Sequence, residues 1–287
     1  MRKTLPKIEA PWFARLFYAC YRICAVLLPR DIGADTLRQI IWHAARRGLL
    51  PPCWARLPHG WMYLDATDLP QLFLLAYGEW EPESTAAIRE RLRAGDCFVD
   101  IGANAGYFSL LAASIVGPEG RVLAFEPNPE VRAILLQNIA RNGYRNIEIC
   151  PACCTDSPGR VKLFLNRSYN SGGCSMSAGN AASNIAIEVD AVRADSGIAR
   201  LPKPPAIVKI DAEGAEALVL RGMAETLRTQ PAIILEIDER LLRGMGSSSE
   251  EVRRLLSNYR LEPAGFNSIA TARPPDEKAA RQSTVAR

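Results

Sequence analysis

Histidine is scarce in this chain, with two among 287 residues. Eight cysteines are scattered along it, Cys153 and Cys154 adjacent, but no C-x-x-C pair recurs. Structural zinc needs four such ligands at set spacings, so no metal site is expected. Any acid–base chemistry must then fall to carboxylates or lysine. Long apolar runs are also missing. The stretch Pro11 to Leu28 comes nearest, but Arg15 and Arg22 interrupt it and it is short for a bilayer span. No secretory signal is evident, and the cysteines are expected to be reduced thiols in a cytoplasmic protein. The net charge of +4 is unevenly distributed. Residues 1–56 hold ten Lys/Arg against three Asp/Glu, a net +7, which leaves −3 for the rest. The main body therefore has no basic excess, and a nucleic-acid partner is not expected. The basic arm suits an anionic partner.

What is present is concentrated in residues 97–130. The apolar run Cys97-Phe98-Val99 ends on Asp100, and the small-residue turn Gly102-Ala103-Asn104-Ala105-Gly106 follows. An apolar stretch of helical length, Tyr107 to Val116, leads to a second strand-like run, Arg121 to Phe125, that ends on Glu126. Strand, tight turn, helix, strand and acid make the front half of a nucleotide-binding α/β unit. Gly102 permits the sharp turn, Gly106 allows close approach to a ligand, and Glu126 stands where a ribose-gripping acid belongs. The loop reads G-x-N-x-G, with Asn104 where a dinucleotide fingerprint has its middle glycine. Asp100, two residues before Gly102, would repel a pyrophosphate and suits the sulfonium and ammonium of S-adenosylmethionine (SAM). The loop thus favours SAM over NAD, and an NAD-dependent oxidoreductase is the competing reading.

Along the rest of the chain, the first ten residues read as a frayed polar end. Pro11 to Leu28 predicts a helix with Phe13, Leu16, Phe17, Cys20, Cys24 and Leu27 on one face. That face either packs on the body or gives a peripheral membrane contact through residues 11–28. A second helix is expected from Thr36 to Arg47, with Asp35 as N-cap. Prolines 51, 52 and 58 mark a linker. The expected partition is a basic helical extension over 1–58, a catalytic domain over 59–270 and a disordered tail over 271–287. Ser84 is expected to cap a helix through Leu92, and Asn128 one that ends at Asn142-Gly143. Residues 166–184 are almost purely small and polar, either a solvated loop or a substrate lid. The strand Ile207 to Ile210 carries Lys209 and delivers Asp211 and Glu213 to the same carboxyl edge as Asp100 and Glu126. Glu216 is expected to face solvent from the following helix.

The segments CFVDIGANAGYFSLLA (97–112), VLAFEP (122–127) and VKIDAEGAE (208–216) resemble the FkbM family of SAM-dependent methyltransferases. The turn Gly78-Glu79-Trp80-Glu81-Pro82 and the strand Ile233 to Ile237 match it too, so the resemblance covers about residues 60–270. It implies a Rossmann-like seven-stranded α/β sheet, here with an N-terminal helical extension. It also implies SAM as cofactor and O-methylation of a sugar, glycan or natural-product hydroxyl. Carried onto this chain, Asp100, Gly102, Asn104, Gly106 and Glu126 hold SAM. Lys209, Asp211 and Glu213 lie nearest the reacting atoms. Asp211 or Glu213 serves as base, and Lys209 orients a carboxylate or steadies an alkoxide. Asp211 with Glu236 and Asp238 as oxygen ligands to Mg²⁺ is a less favoured variant. An amine acceptor, which needs less help from a base, stays open. The acceptor is expected to be a small molecule or glycan.

Overall fold

The computed structural model describes residues 7–27, 34–166 and 172–274. The remaining expectations for the first six residues, the middle of the polar segment (167–171) and most of the tail (275–287) lie outside the described residues.

Three short strands, β1 (Lys7–Glu9), β2 (Cys53–Leu57) and β3 (Gly60–Leu64), form an antiparallel sheet in that order. Helices α1 (Trp12–Leu27) and α2 (Ala34–Arg46) lie between β1 and β2, and α3 (Leu69–Tyr77) and α4 (Pro82–Arg91) follow β3. The first ten residues are thus not a frayed end throughout. Ile8 is buried, and Lys7–Glu9 pairs with Trp54–Arg56. Helix α4 also differs from expectation. Proline favours the first helical turn, so the helix starts at Pro82 with Glu81 before it in a left-handed conformation. Ser84 is buried inside the helix and meets Asn267 instead of capping.

The central sheet follows. Its elements are β4 (Cys97–Ile101), α5 (Tyr107–Val116), β5 (Arg121–Phe125), α6 (Pro129–Asn142) and β6 (Ile147–Cys150). A small sheet of β7 (Ala152–Cys154), β8 (Gly159–Phe164) and β9 (Ala186–Val192) is inserted, with α7 (Ala178–Ala181) between β8 and β9. The chain returns through α8 (Ala194–Ile198) and β10 (Ile207–Ile210), then α9 (Glu216–Gly222) and α10 (Ala224–Arg228). It closes with β11 (Ala232–Glu236), α11 (Glu239–Gly244), α12 (Ser249–Leu255), β12 (Tyr259–Ala264) and β13 (Asn267–Ala272). Among the described residues the sheet has seven strands in the order β12-β13-β11-β10-β4-β5-β6. Strands β11, β10, β4, β5 and β6 run parallel, while β13 is antiparallel to β11 and β12 to β13. The fold is Rossmann-like α/β, as expected. Strand order reverses between β4 and β10, and ligands of such sheets bind outside the strand ends there.

Local sequence explains the central elements. Every residue of β4 is buried, as a strand covered by helices on both faces requires. Asn128 caps α6 by accepting from the Glu130 N–H, Pro129 occupies its first turn, and Gly143 ends it with φ +67°. The free edge of β3 is satisfied by two asparagines of α6. Asn142 bonds the N–H and C=O of Trp61, each at 2.7 Å. Asn138, fully buried, accepts from the Tyr63 N–H at 2.7 Å and donates to the Ala105 carbonyl at 2.8 Å. One side chain therefore ties the N-terminal sheet to the turn after β4. Asn138→Ala leaves two buried backbone groups unpaired, each costing about 1–3 kcal/mol. Denaturant unfolding should show a loss of about 2 kcal/mol or more, and an unchanged midpoint would contradict this role.

Candidate active site

Four segments converge at the switch point: the turn after β4, the end of β5, the turn after β10 and the segment between β8 and β9. They enclose a cavity of about 170 Å³. Gly102, with φ +82°, begins the first turn, and a Cβ there would overlap the carbonyl oxygen of Asp211. The N–H groups of Gly102 and Ala103 both donate to the Phe125 carbonyl at 3.0 Å. Asn104 lines the cavity with φ +51°. Its N–H donates to Glu126 Oε2, and the Asn128 N–H donates to Oε1, both at 2.8 Å. Burial pushes the Glu126 pKa up to about 7 against these two bonds.

Opposite stand Lys209, Asp211 and Glu213. Lys209 Nζ is buried, bonded to Asp211 Oδ2 at 2.9 Å and 4.6 Å from the Phe108 ring centre. Burial pulls the Lys209 pKa down, but Asp211, Glu81 and Asp100 together raise it, and the net shift is upward. Lysine is therefore held charged. Glu213 sits at φ +49° on the cavity wall. Burial, then repulsion from Asp211, Glu236 and Glu216, pushes its pKa up to about 8. Five described non-glycine residues have positive φ, and three of them belong here: Asn104, Glu213 and Glu81. Local strain of this kind concentrates at functional sites.

Six of the expected site residues line the cavity together: Gly102, Asn104, Glu126, Lys209, Asp211 and Glu213. Asp100 and Gly106 do not. Asp100 lies beneath the turn, paired with Lys209 in the β4–β10 register and fully buried against Ser109 of α5. Its Oδ2 accepts from the Ser109 hydroxyl at 2.6 Å, Oδ1 has no hydrogen-bond partner, and burial pushes its pKa up to about 6. Gly106 starts α5 with φ +95°, and the space beside its Cα is filled by Leu135 and Leu110, not by a ligand. Glu216 does not face solvent. It is buried and accepts from the N–H groups of Ala212 and Gly214, bracing the turn that carries Glu213. Asp238 is used as the cap of α11, accepting from Arg240 and Leu241. Among the described residues no group of three or more His, Cys, Asp or Glu is placed to hold a metal ion.

The polar segment between β8 and β9 is a cavity wall rather than a solvated loop in its described part. Phe164 and Ser175 exchange backbone bonds, and Asn180 donates to the carbonyls of Glu213 and Leu241. Ser175 Oγ also donates to the Glu213 carbonyl at 2.8 Å. Glu81 was missed by reasoning on the sequence. It is half-buried, accepts from Asn267 Nδ2 at 2.6 Å and acts electrostatically on Lys209. Its only signal was the preceding Gly-Glu-Trp run and a proline directly after it.

Residues 100–263 match the model of the methyltransferase FkbM domain. The chain belongs to the FkbM methyltransferase family. It is 28% identical over 192 residues to the hexuronic acid methyltransferase AglP of Haloferax volcanii, a match spanning 63% of this chain and 70% of that protein. A 74-residue stretch is 34% identical to an arsenite methyltransferase of Halobacterium salinarum, covering 26% of this chain but 18% of that protein. Among solved structures, the Aeropyrum pernix fibrillarin with bound SAM aligns over 77% of this chain and 93% of that one, at 15% identity and a TM-score of 0.42. A precorrin-6y C5,15-methyltransferase of Geobacter metallireducens aligns over 67% and 89%, at 18% identity and 0.42.

This FkbM protein is a SAM-dependent methyltransferase, and the oxidoreductase alternative falls away. The cavity fits the cofactor. Among its described lining residues three carboxylates, Glu126, Asp211 and Glu213, face one cation, Lys209. Such a balance favours a cationic ligand over a pyrophosphate. Calorimetric titration should show S-adenosylhomocysteine binding in the micromolar range and no response to NADH. Glu126→Ala should weaken that binding about tenfold or more, roughly 1.4 kcal/mol.

Lys209→Met strands the carboxylates of Glu81, Asp100 and Asp211 without a counter-charge, a loss of about 3–5 kcal/mol near neutral pH. The folded-state pKa values of Glu81 and Asp100, which burial already raises, then rise further above the unfolded ones. The folded variant takes up protons, so its stability is kept at low pH and lost as pH rises. Thermal unfolding should show a deficit against wild type that is small at pH 5 and large at pH 8. A deficit independent of pH would overturn this account.

Proposed function

We propose that the chain transfers a methyl group from SAM to a hydroxyl of a sugar or glycan, with a uronic-acid residue the foremost acceptor class. Glu213 carries this reading: a carboxylate on the cavity wall, held in a strained backbone, with its proton affinity raised toward neutral pH. A hydroxyl acceptor must lose a proton, and a base tuned near the working pH removes it most effectively. An amine acceptor would depend less on such a base. The named relative AglP, a hexuronic acid methyltransferase, supports the sugar class.

Bound SAM supplies a methyl group on a sulfonium, activated toward an incoming nucleophile. Glu126 and the turn from Gly102 to Asn104 hold the cofactor, and Asp100 positions Lys209 from beneath that turn. Lys209 orients Asp211 through their 2.9 Å ion pair. Asp211 binds the acceptor hydroxyl, and Glu213 takes its proton. Trp80, Tyr107 and Phe108 line the same cavity and offer apolar faces to a sugar ring. Alignment of acceptor and methyl does most of the remaining work.

Transfer of labelled methyl from SAM onto a panel of hexuronic acid glycosides and neutral glycosides tests this reading. With an active acceptor, kcat/KM should rise with pH up to about 8 and level off, because Glu213 must be deprotonated to act. Glu213→Gln should abolish that limb and lower the rate about 10²-fold or more. Transfer only to amines, or an unchanged pH limb in the variant, would overturn it.

A further inference from the structure

Helix α1 has two apolar faces, and among the described residues only one is covered. Ala14, Tyr18 and Tyr21 are buried against the protein. The larger face points outward: Trp12 is 72% exposed, Leu16 59% and Ile23 54%, with Phe13 and Phe17 also exposed. At 3.6 residues per turn these five lie within about 140° of arc, a continuous stripe. This is the face that the spacing of Phe13, Leu16 and Phe17 singles out, so its apolar character does not come from packing on the body.

Charge says what covers it. From Ala10 to Arg30 the sequence has three arginines and no acid, within a segment of net +7. Arg15 is exposed beside Leu16. A second copy docked through this face would bring two such segments together and set like charges against each other. An anionic surface is complementary. Aromatic rings with flanking arginines, on a helix lying flat, are the features that seat a helix at the headgroup boundary of a bilayer. As described, α1 has 16 residues and is about 24 Å long, short of a hydrocarbon core of about 30 Å. Among the described residues no helix is long and apolar enough to cross a membrane.

We infer that the exposed face of α1 docks on an anionic phospholipid bilayer, with Trp12, Phe13, Leu16, Phe17 and Ile23 at the acyl boundary and arginines at the phosphates. Helix α1 packs on α3, and α3 supplies Pro70, Gln71 and Leu74 to the cavity wall. Docking therefore brings one wall of the active-site cavity close to the membrane plane.

The full chain is sedimented with vesicles of phosphatidylcholine alone and of phosphatidylcholine with about one third phosphatidylglycerol. The expected result is binding to the anionic vesicles at least tenfold stronger than to the neutral ones, weakened by salt as exposed charges are screened. The double variant Trp12→Gln, Leu16→Gln should lose it by tenfold or more. Both side chains are solvent-facing, so the variant should bind S-adenosylhomocysteine as wild type does, which separates loss of docking from loss of fold. Arg15→Glu should weaken binding to anionic vesicles and leave the weak binding to neutral ones unchanged. Absence of vesicle binding, or equal binding by the double variant, overturns the proposal. So does a dimer in sedimentation velocity that the double variant abolishes, since the face would then be a self-interface. Methyl transfer to soluble acceptors is read separately, and its failure leaves the docking result standing.

Discussion

A buried positive charge holds this active site together. Lys209 comes from the middle of a buried parallel strand, where an isolated ammonium would be driven to lose its proton. It stays charged because carboxylates surround it: Asp211 at 2.9 Å, Asp100 across the β4–β10 register, and Glu81 from before α4. Asp100 and Glu81 would not be comfortable alone in the same surroundings, since burial pushes both toward protonation. The cluster is stable only as a whole. That mutual dependence fixes the ends of β4 and β10 against each other and places α4 over the sheet. Breaking such a cluster costs far more than its net contribution to folding, because the cost lies in the charges left behind.

The two sides of the cavity are coupled through backbone. The turn after β4 hangs from the Phe125 carbonyl and from Glu126, and its Ala105 carbonyl is held by Asn138. Across the cavity Glu216 gathers the N–H groups of the turn beyond Asp211, while Ser175 and Asn180 hold the Glu213 carbonyl from the inserted segment. Glu213 thus keeps a strained left-handed conformation because its neighbours leave it no other. Its raised proton affinity follows from the same arrangement, with three acids close by and little solvent.

The sequence makes the centre of the molecule legible and its periphery much less so. The strand–turn–helix over 97–116, the capped α6 and the strand 207–210 are local patterns, each written in consecutive residues, and the structure has them where the patterns put them. The placement of Asp100 was not legible in the same way. Its nearness to the turn in sequence suggests contact with a ligand, but strand alternation and register send the side chain under the turn toward Lys209. Glu81 meets Lys209 only through the packing of α4 on the sheet, which no local pattern encodes. Residues 172–184 look solvated by composition, yet a few side-chain bonds to distant carbonyls make them a wall. For α1, periodicity reveals an apolar stripe but not which of two stripes the body covers.

The contact between Gly102 and the Asp211 carbonyl bears on how such an enzyme changes its substrate over evolutionary time. Because no side chain fits between the two turns, the segments carrying Asn104 and Asp211 sit directly against each other as one piece. Variation in what the enzyme accepts must then come from the walls that are not part of that piece, chiefly the inserted segment between β8 and β9 and the aromatic rim around Trp80. Those walls can be exchanged without disturbing the methyl donor. A scaffold divided in this way can diversify its acceptors while keeping one chemistry.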